Sequence, residues 1–264
     1  MFWRRIIIAG GFIPVLIFLI LWDKVVFLIL VCLIIGVSLF EFYQGMKKEG
    51  ENLSSWESIS LGLLIPIGIY LKGENILPTL LTFIVFFLSL RQFFQFKIEQ
   101  AFVHFSLTLG GIIYISFLFS YVLILRNIPS LGGRLVITIF FVTWMGDTGA
   151  YFIGKKWGKH KLFSQISPRK SWEGLLGAII LSCVAMFISR TWLFLSPVHA
   201  LVLGVLIGAM GQIGDFFESM LKRELGIKDF GKILLAHGGI LDRFDSLLFT
   251  VPLFYYYVKL VLGM

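Results

Sequence analysis

The amino-acid sequence predicts an all-α polytopic membrane protein of about nine transmembrane helices, with a cytoplasm-facing polar cavity in its C-terminal half. Of the 264 residues, 58% are hydrophobic and 14% are charged, and the mean hydropathy is +0.92. A soluble globular domain carries about 25% charged residues. The apolar runs also reach the length of about 20 residues that a helix needs to cross a bilayer. These observations exclude a soluble protein.

Nine apolar segments follow one another along the chain. They lie near residues 6–22, 25–44, 57–71, 75–96, 101–125, 134–154, 172–192, 198–220 and 245–263. The first is long for a signal peptide, and no small residues follow it to mark a cleavage site, so we expect a retained span. Cys32 and Cys183 both fall inside apolar runs, which argues against a disulfide framework and favours small packing residues.

The basic residues predict the orientation of these segments. With the N-terminus in the cytoplasm, most of the 23 Lys and Arg residues fall on the cytoplasmic side, as the positive-inside rule requires. The opposite side holds only Lys24, Lys72, Arg126, Arg134, Arg190 and Lys259. The polar loops 155–171 and 221–244 then share the cytoplasmic face of the plasma (inner) membrane, and the C-terminus lies outside. The net charge of +8 follows from this topology and does not indicate a nucleic-acid partner.

Three acids interrupt otherwise apolar segments: Asp147, Asp215 and Glu218. A carboxylate at membrane depth costs at least about 2.5–3.5 kcal/mol, so it usually has a partner or a function. Small or polar neighbours accompany these acids and are expected to leave room for a cavity: Thr148, Gly149, Gly211, Gln212 and Gly214. Asp23 and Glu41 instead fit a simpler account, in which the carboxylate is hydrated at the membrane interface.

One helical face is predicted to carry Asp215, Glu218, Ser219 and Lys222, because they are spaced i, i+3, i+4 and i+7. Two interpretations are open. The residues could form a self-satisfied polar seam in which Glu218 pairs with Lys222. Alternatively, the oxygen atoms could bind Mg²⁺, which prefers carboxylate, water and phosphate oxygens.

A second pair of acids, Asp242 and Asp245, stands at the start of the last apolar segment, with Arg243 expected to turn elsewhere. One of them could serve only as a helix cap or as a partner of the helix dipole. Both could also converge with Asp215 and Glu218 on a metal ion, since a single predicted cytoplasmic loop joins the two pairs.

That loop is rich in groups able to contact phosphate oxygens. They are Lys222, Arg223, Lys228, Lys232 and His237. Gly238 and Gly239 would let backbone N–H groups approach an anion closely. His237 is expected to donate a hydrogen bond to a phosphate oxygen or to organise the loop.

The loop 155–171 is a second candidate anion site. Ser167 followed by Pro168 predicts a helix N-cap and first helical residue, which would place free N–H groups near Lys170 and Ser171. The alternative is an ordinary basic cytoplasmic loop with an interfacial helix.

Residues 219–246, SMLKRELGIKDFGKILLAHGGILDRFDS, resemble the signature of the phosphatidate cytidylyltransferase (CDP-diacylglycerol synthase) family. The positions that match at the expected spacing are Ser219, Lys222, Arg223, Lys228, Asp229, Gly231, His237, Gly238, Gly239, Asp242, Arg243 and Asp245. GDTGAYFIGKKWGKHK, SPRKSWEG and GDFFES resemble flanking elements of the family, so the likeness covers roughly the C-terminal half. Leu235 and Ala236 depart from the family pattern, which usually has Pro or Gly two residues before the histidine.

The resemblance implies a nucleotidyltransferase of phospholipid biosynthesis that uses CTP, phosphatidate and one or two Mg²⁺ ions. Residues 1–130 would be a scaffold, lipid entrance or oligomer interface, and residues 131–264 the catalytic region. The catalytic positions implied are Lys222, Arg223, Asp242 and His237. The implied substrate-binding positions are Lys170, Ser171, Ser219, Lys228, Asp229, Gly238, Gly239 and Arg243. Asp215 and Asp242 are the first choices as metal ligands, followed by Asp147, Glu218 and Asp245.

Two other functions are compatible with this residue pattern. A CTP-dependent lipid kinase of the polyprenol type would release CDP and would need a base such as Asp147 to activate a hydroxyl. An ion-coupled transporter would bind cations at its membrane carboxylates and leave its substrate chemically unchanged. A homodimer is compatible with each of the three.

Overall fold

A computed structural model describes residues 14–48, 55–95, 100–163, 166–231 and 238–263. The α-helices are α1 (Lys24–Lys48), α2 (Ser55–Lys72), α3 (Leu77–Gln95), α4 (Ala101–Gly111), α5 (Leu118–Asn127), α6 (Gly132–Trp157), α7 (Trp172–Leu193), α8 (Pro197–Glu224) and α9 (Leu241–Leu260). Residues 14–21 are also helical. A 3₁₀ turn, Glu74–Ile76, precedes α3, and a π-helical turn, Ile112–Phe117, joins α4 to α5. The described residues contain no β-strand, which confirms the all-α prediction.

Six helical segments of the described chain are long and apolar enough to cross a membrane, by length and composition. They are Lys24–Met46, Glu74–Phe94, Ala101–Asn127, Gly132–Trp157, Trp172–Leu193 and Pro197–Glu224. Helix α2 has only 18 residues and polar ends, and α9 begins with a cluster of charged residues. The count of about nine spans therefore stays a prediction.

Glycines allow α6 to pack closely against α7, and α8 against α9. A methyl group on Gly149 of α6 would lie 2.3 Å from the carbonyl oxygen of Gly177 in α7. One on Gly214 of α8 would lie 2.8 Å from the carbonyl oxygen of Asp245 in α9. The expectation that these glycines leave room for a cavity is therefore wrong: they let two backbones approach, as small residues do at membrane helix crossings.

The start of α7 also differs from the prediction. Ser171, not Ser167, is the N-cap, and its Oγ accepts a hydrogen bond from the Gly174 N–H at 3.1 Å. Residues 167–170 form a turn instead, because the loop folds back on itself before the helix begins. The Leu162 N–H donates to the Lys170 carbonyl, and an isolated bridge joins Lys161 to Ser171.

Helix α9 lies in the core of the described structure and contacts α1, α5, α6 and α8. Near its C-terminus, Tyr255 and Lys259 bond the Glu74 carboxylate. At the other end of the bundle, Arg223 donates to the Ile166 carbonyl at 3.1 Å and so joins the two long polar loops. This grouping agrees with the predicted alternation of loops, while the side that faces the cytoplasm stays a prediction.

The glycine crossing between α6 and α7 yields a stability prediction. Gly149→Ala should destabilise the protein by about 1–3 kcal/mol, because the added methyl group collides with backbone that cannot rotate away. Gly36→Ala in α1 is the matched control, since a methyl group there meets no atom within 4 Å. Thermal unfolding in detergent should give a lower midpoint for the first variant and an unchanged or higher midpoint for the second. Equal midpoints would contradict the close crossing.

Candidate functional site

A cavity of about 760 Å³ lies among α6, α7, α8, α9 and the loops that precede α7 and α9. Its lining combines acids and bases within one space. The charged residues that line it are Asp147, Lys155, Lys161, Arg169, Lys170, Asp215, Lys222, Asp229, Asp242, Arg243 and Asp245. Such a mixture suits a ligand that carries phosphate groups together with a cation.

Three carboxylates converge beside this cavity: Asp215 and Glu218 from one face of α8, and Asp245 from α9. Asp215 and Asp245 line it, and Glu218 is buried behind them. One oxygen of each lies within 4.8 Å of the others. The contact of Gly214 with the Asp245 backbone allows α8 and α9 to cross closely enough for this. Glu218 is fully buried, and no described residue offers a hydrogen-bond donor to its Oε1. A donor set of hard oxygens with a buried, unsatisfied member fits a divalent cation such as Mg²⁺.

Lys222 connects this group to Asp242. Its Nζ lies 2.8 Å from Glu218 Oε2 and 2.9 Å from Asp242 Oδ1, so the pairing of Glu218 with Lys222, one of the two interpretations left open by the sequence, is present. The other oxygen of Asp242 accepts the Gly239 N–H at 2.8 Å. The Gly239 N–H is therefore not free for an anion, contrary to expectation. Gly238 adopts a φ of +81°, a conformation that favours glycine. In the structure the Asp242 carboxylate contacts Lys222, and the assignment of Asp242 as a metal ligand stays a prediction.

Lys170 and Asp215 form the second cation–carboxylate contact of the cavity. Lys170 Nζ lies 2.8 Å from Asp215 Oδ1 and 4.1 Å from the centre of the Phe216 ring. Ser219 donates to the same Asp215 oxygen at 3.5 Å, as its position one helical turn away predicts. Ser171 lines the cavity but is buried, and its hydroxyl caps α7.

Asp147 lies in the same cavity among neutral donors. Its Oδ1 accepts from Ser246 Oγ at 3.2 Å and from Gln212 Nε2 at 3.4 Å. The three residues come from α6, α9 and α8, so the interaction depends on the packing of all three helices. Asp147 is therefore a neighbour of the converging acids, held by polar side chains.

The remaining predicted residues have different positions. Arg243 lines the cavity, so the expectation that it turns elsewhere is wrong, and Asp229 lines it as well. Lys228 and Arg223 are exposed, and neither belongs to the described cavity lining. His237 lies outside the described residues, as do Lys232, Leu235 and Ala236.

Sequence reasoning missed two residues of the N-terminal half. Glu41 of α1 is only 2% exposed and accepts the Leu241 N–H at 3.0 Å, so the interpretation of a hydrated interfacial acid is wrong. The cost of a carboxylate inside an apolar segment was the signal that could have identified it. Tyr114, in the π-helical turn, is buried with its ring 5.2 Å from that of Phe217, one residue before Glu218. No sequence signal indicated this position.

Acids and lysines that meet at one cavity of an apolar helical fold are typical of proteins that handle phosphate groups. The chain belongs to the cytidylyltransferase family, whose model matches residues 3–261. The resemblance predicted for the C-terminal half is confirmed and extends over nearly the whole chain.

Several curated relatives of this chain are named phosphatidate cytidylyltransferase. The chain is 35% identical over 258 residues to the phosphatidate cytidylyltransferase of Bacillus subtilis (strain 168), covering 93% of both proteins. It is 39% identical over 159 residues to that of Staphylococcus saprophyticus, covering 60% of each. It is 43% identical over 124 residues to that of Staphylococcus aureus (strain COL), covering 46% of this chain and 48% of the relative.

The buried charges around Lys222 yield a second stability prediction. Lys222→Met should destabilise the protein by about 3–5 kcal/mol, because it leaves Glu218 and Asp242 buried without their cation. Thermal unfolding in detergent with EDTA should show a lower midpoint, and adding Glu218→Gln to the same chain should restore part of it. Lys72→Met, at the exposed end of α2, is the control and should be neutral. An unchanged midpoint for Lys222→Met would contradict the role of this lysine.

Proposed function

We propose that this protein transfers the cytidylyl group of CTP to phosphatidate, forming CDP-diacylglycerol and pyrophosphate. The observation that carries the proposal is the convergence of Asp215, Glu218 and Asp245 beside Lys170 and Lys222, next to one cavity. The similarity to the Bacillus subtilis phosphatidate cytidylyltransferase over 93% of both chains supports the choice of substrates.

The reaction places specific demands on the site. An oxygen of the phosphatidate phosphate forms a bond to the α-phosphorus of CTP, and the bond from that phosphorus to the bridging oxygen breaks, so that pyrophosphate leaves with the electron pair. The attacking oxygen is already ionised near neutral pH, so no side chain need remove a proton from it. The difficulty is the approach of two anions, which is overcome by cations and by alignment.

The described residues can meet these demands. Asp215, Glu218 and Asp245 would hold Mg²⁺, which when bound neutralises phosphate charge and favours departure of the pyrophosphate. Lys170 and Lys222, which contact different acids of the cavity, would bind phosphate oxygens. Their ammonium groups are already held in place by Asp215 and Asp242, so little ordering of side chains is needed when the nucleotide binds.

Three further basic residues line the cavity. Lys155, Lys161 and Arg169 belong to α6 and the loop that follows it. They would bind the β- and γ-phosphates of CTP and later the pyrophosphate. Asp147 and Asp242 would orient the neighbouring groups through their hydrogen bonds.

The membrane arrangement completes the proposal. Phosphatidate stays in one leaflet and CTP arrives from the cytosol, so the cavity should face the cytoplasmic side of the plasma (inner) membrane, with the C-terminus outside. The basic loops support this orientation. Exposed apolar side chains on α3 and α4, such as Phe94 and Phe102, would contact lipid or a second copy of the chain.

The direct test uses the detergent-purified protein with labelled CTP, phosphatidate and Mg²⁺. We expect CDP linked to lipid and an equal amount of pyrophosphate, abolished by EDTA and restored by Mg²⁺. Release of CDP with a phosphorylated lipid alcohol would instead identify a lipid kinase. Counterflow of an unchanged substrate in liposomes would identify a transporter. The proposal fails if the wild-type protein forms no lipid-linked CDP.

Removal of single carboxylates tests the site itself. Asp215→Asn, Asp245→Asn and Asp242→Asn should each lower kcat/KM at least about 100-fold. The first two remove proposed metal ligands, and the third removes the carboxylate that orients Lys222. The first two should also raise the Mg²⁺ concentration needed for half-maximal activity. Asp23→Asn is the matched control: Asp23 is exposed and accepts the Val25 N–H at 2.7 Å, which an asparagine can also do. Activity of Asp242→Asn equal to wild type would overturn the assignment.

A further inference from the structure

Glu41 is a buried acid of the N-terminal half that reaches the candidate site. It belongs to α1, is 2% exposed, and its Oε2 accepts the Leu241 N–H at 3.0 Å. The two residues are 200 positions apart in the sequence. A carboxylate buried this deeply in an apolar helix needs a compensating interaction. The first turn of α9 provides it.

The start of α9 lacks a side-chain cap of its own. Ile240 occupies the N-cap position and cannot accept a hydrogen bond through its side chain. The Asp242 side chain, in the first turn, bonds Gly239 and Lys222. The first N–H groups of a helix have no partners within the helix, and the dipole favours a negative charge beside them. Glu41 therefore supplies from another helix the cap that the local sequence does not encode.

The same carboxylate also contacts chain segments on both sides of residues 232–237. A methyl group on Gly239 would lie 2.5 Å from Glu41 Oε2, and one on Gly231 would overlap Oε1. The Phe230 ring packs 5.7 Å from that of Phe42, the neighbour of Glu41. Helix α1 is thus the surface against which residues 230–231 and 239–241 are placed.

The position of Glu41 has a direct consequence for the charged cluster. Leu241 immediately precedes Asp242, whose Oδ1 lies 2.9 Å from Lys222 Nζ. A shift of the Leu241 N–H therefore moves the Asp242 carboxylate relative to Lys222 and Glu218. A misplacement of about 1 Å in an active site can cost about 100-fold in rate.

We infer that Glu41 is a positioning residue. It holds the first turn of α9 so that the Asp242 carboxylate stays in contact with Lys222, which pairs with Glu218 on α8. The inference rests on the proposed function for its catalytic consequence and on the contacts of Glu41 for its structural one. It also assigns a role to the N-terminal half: α1 completes the site without contributing a side chain to the described cavity lining.

The test compares variants of two glutamates that both reach α9 from the N-terminal half. Glu41→Ala removes the acceptor for the Leu241 N–H, whereas Glu41→Gln keeps an amide oxygen that can accept it. Glu74→Ala is the matched control, because Glu74 bonds Tyr255 and Lys259 at the opposite end of α9. Each purified protein is assayed for kcat, for KM of CTP, for Mg²⁺ activation and for thermal unfolding.

We expect Glu41→Ala to lower kcat about 10- to 100-fold with a smaller change in KM, and to raise the Mg²⁺ concentration needed for half-maximal activity. Glu41→Gln should stay within about fivefold of wild type, as a retained acceptor implies. Glu74→Ala should keep wild-type kinetics even where its unfolding midpoint falls. Activity of Glu41→Ala within twofold of wild type would overturn the inference, and so would a glutamine variant as defective as the alanine variant.

Hydrogen–deuterium exchange separates this inference from the proposed function. A peptide that covers residues 238–246 should exchange faster in Glu41→Ala than in wild type, and should be unchanged in Glu74→Ala. This measurement needs no substrate. If the wild-type protein formed no CDP-diacylglycerol but exchange rose as expected, the proposed function would be wrong, and the positioning role of Glu41 on α9 would still be supported. If exchange at this peptide did not change, the positioning role of Glu41 would be wrong, whatever activity the variants showed.

Discussion

The contact of Lys222 with Glu218 and Asp242 is the interaction on which the site depends. Glu218 is fully buried and Asp242 nearly so, and two carboxylates in such surroundings repel each other unless a cation lies between them. Because Lys222 and Glu218 belong to α8 and Asp242 to α9, the same ammonium group also joins the two helices. The pairing therefore stabilises the helix crossing and orders the charges at once.

The close approach of backbones makes this contact possible. Gly214 of α8 faces the carbonyl of Asp245 in α9, and Gly149 of α6 faces that of Gly177 in α7. In a lipid phase, helices gain little from hydrophobic burial against each other, so close packing of small residues and polar contacts between helices hold the bundle together. Gly214 thus serves the site indirectly, by bringing Asp245 of α9 within reach of Asp215 and Glu218 of α8.

The N-terminal helices support the C-terminal half at both ends of α9. Glu41 accepts an N–H at its start, and Glu74 bonds Tyr255 and Lys259 near its end. This arrangement gives a physical reason why the family likeness covers residues 3–261 and is not confined to the motif-rich half. Because α9 carries acids of the site, the N-terminal helices that hold α9 at both ends are also needed for the site.

The sequence by itself determined the helical class, because apolar composition and segment length decide it, and it determined contacts within one helix. Glu218 meets Lys222, and Ser219 meets Asp215, because residues four apart share a helical face. Only the tertiary structure decided which acids converge, since the contact of Asp245 with α8 depends on the crossing at Gly214. It also decided that Ser171 caps α7, and that the buried Glu41 accepts a hydrogen bond from the Leu241 N–H, 200 residues away. Such contacts depend on how helices pack, and helical periodicity carries no information about the distance between two helices.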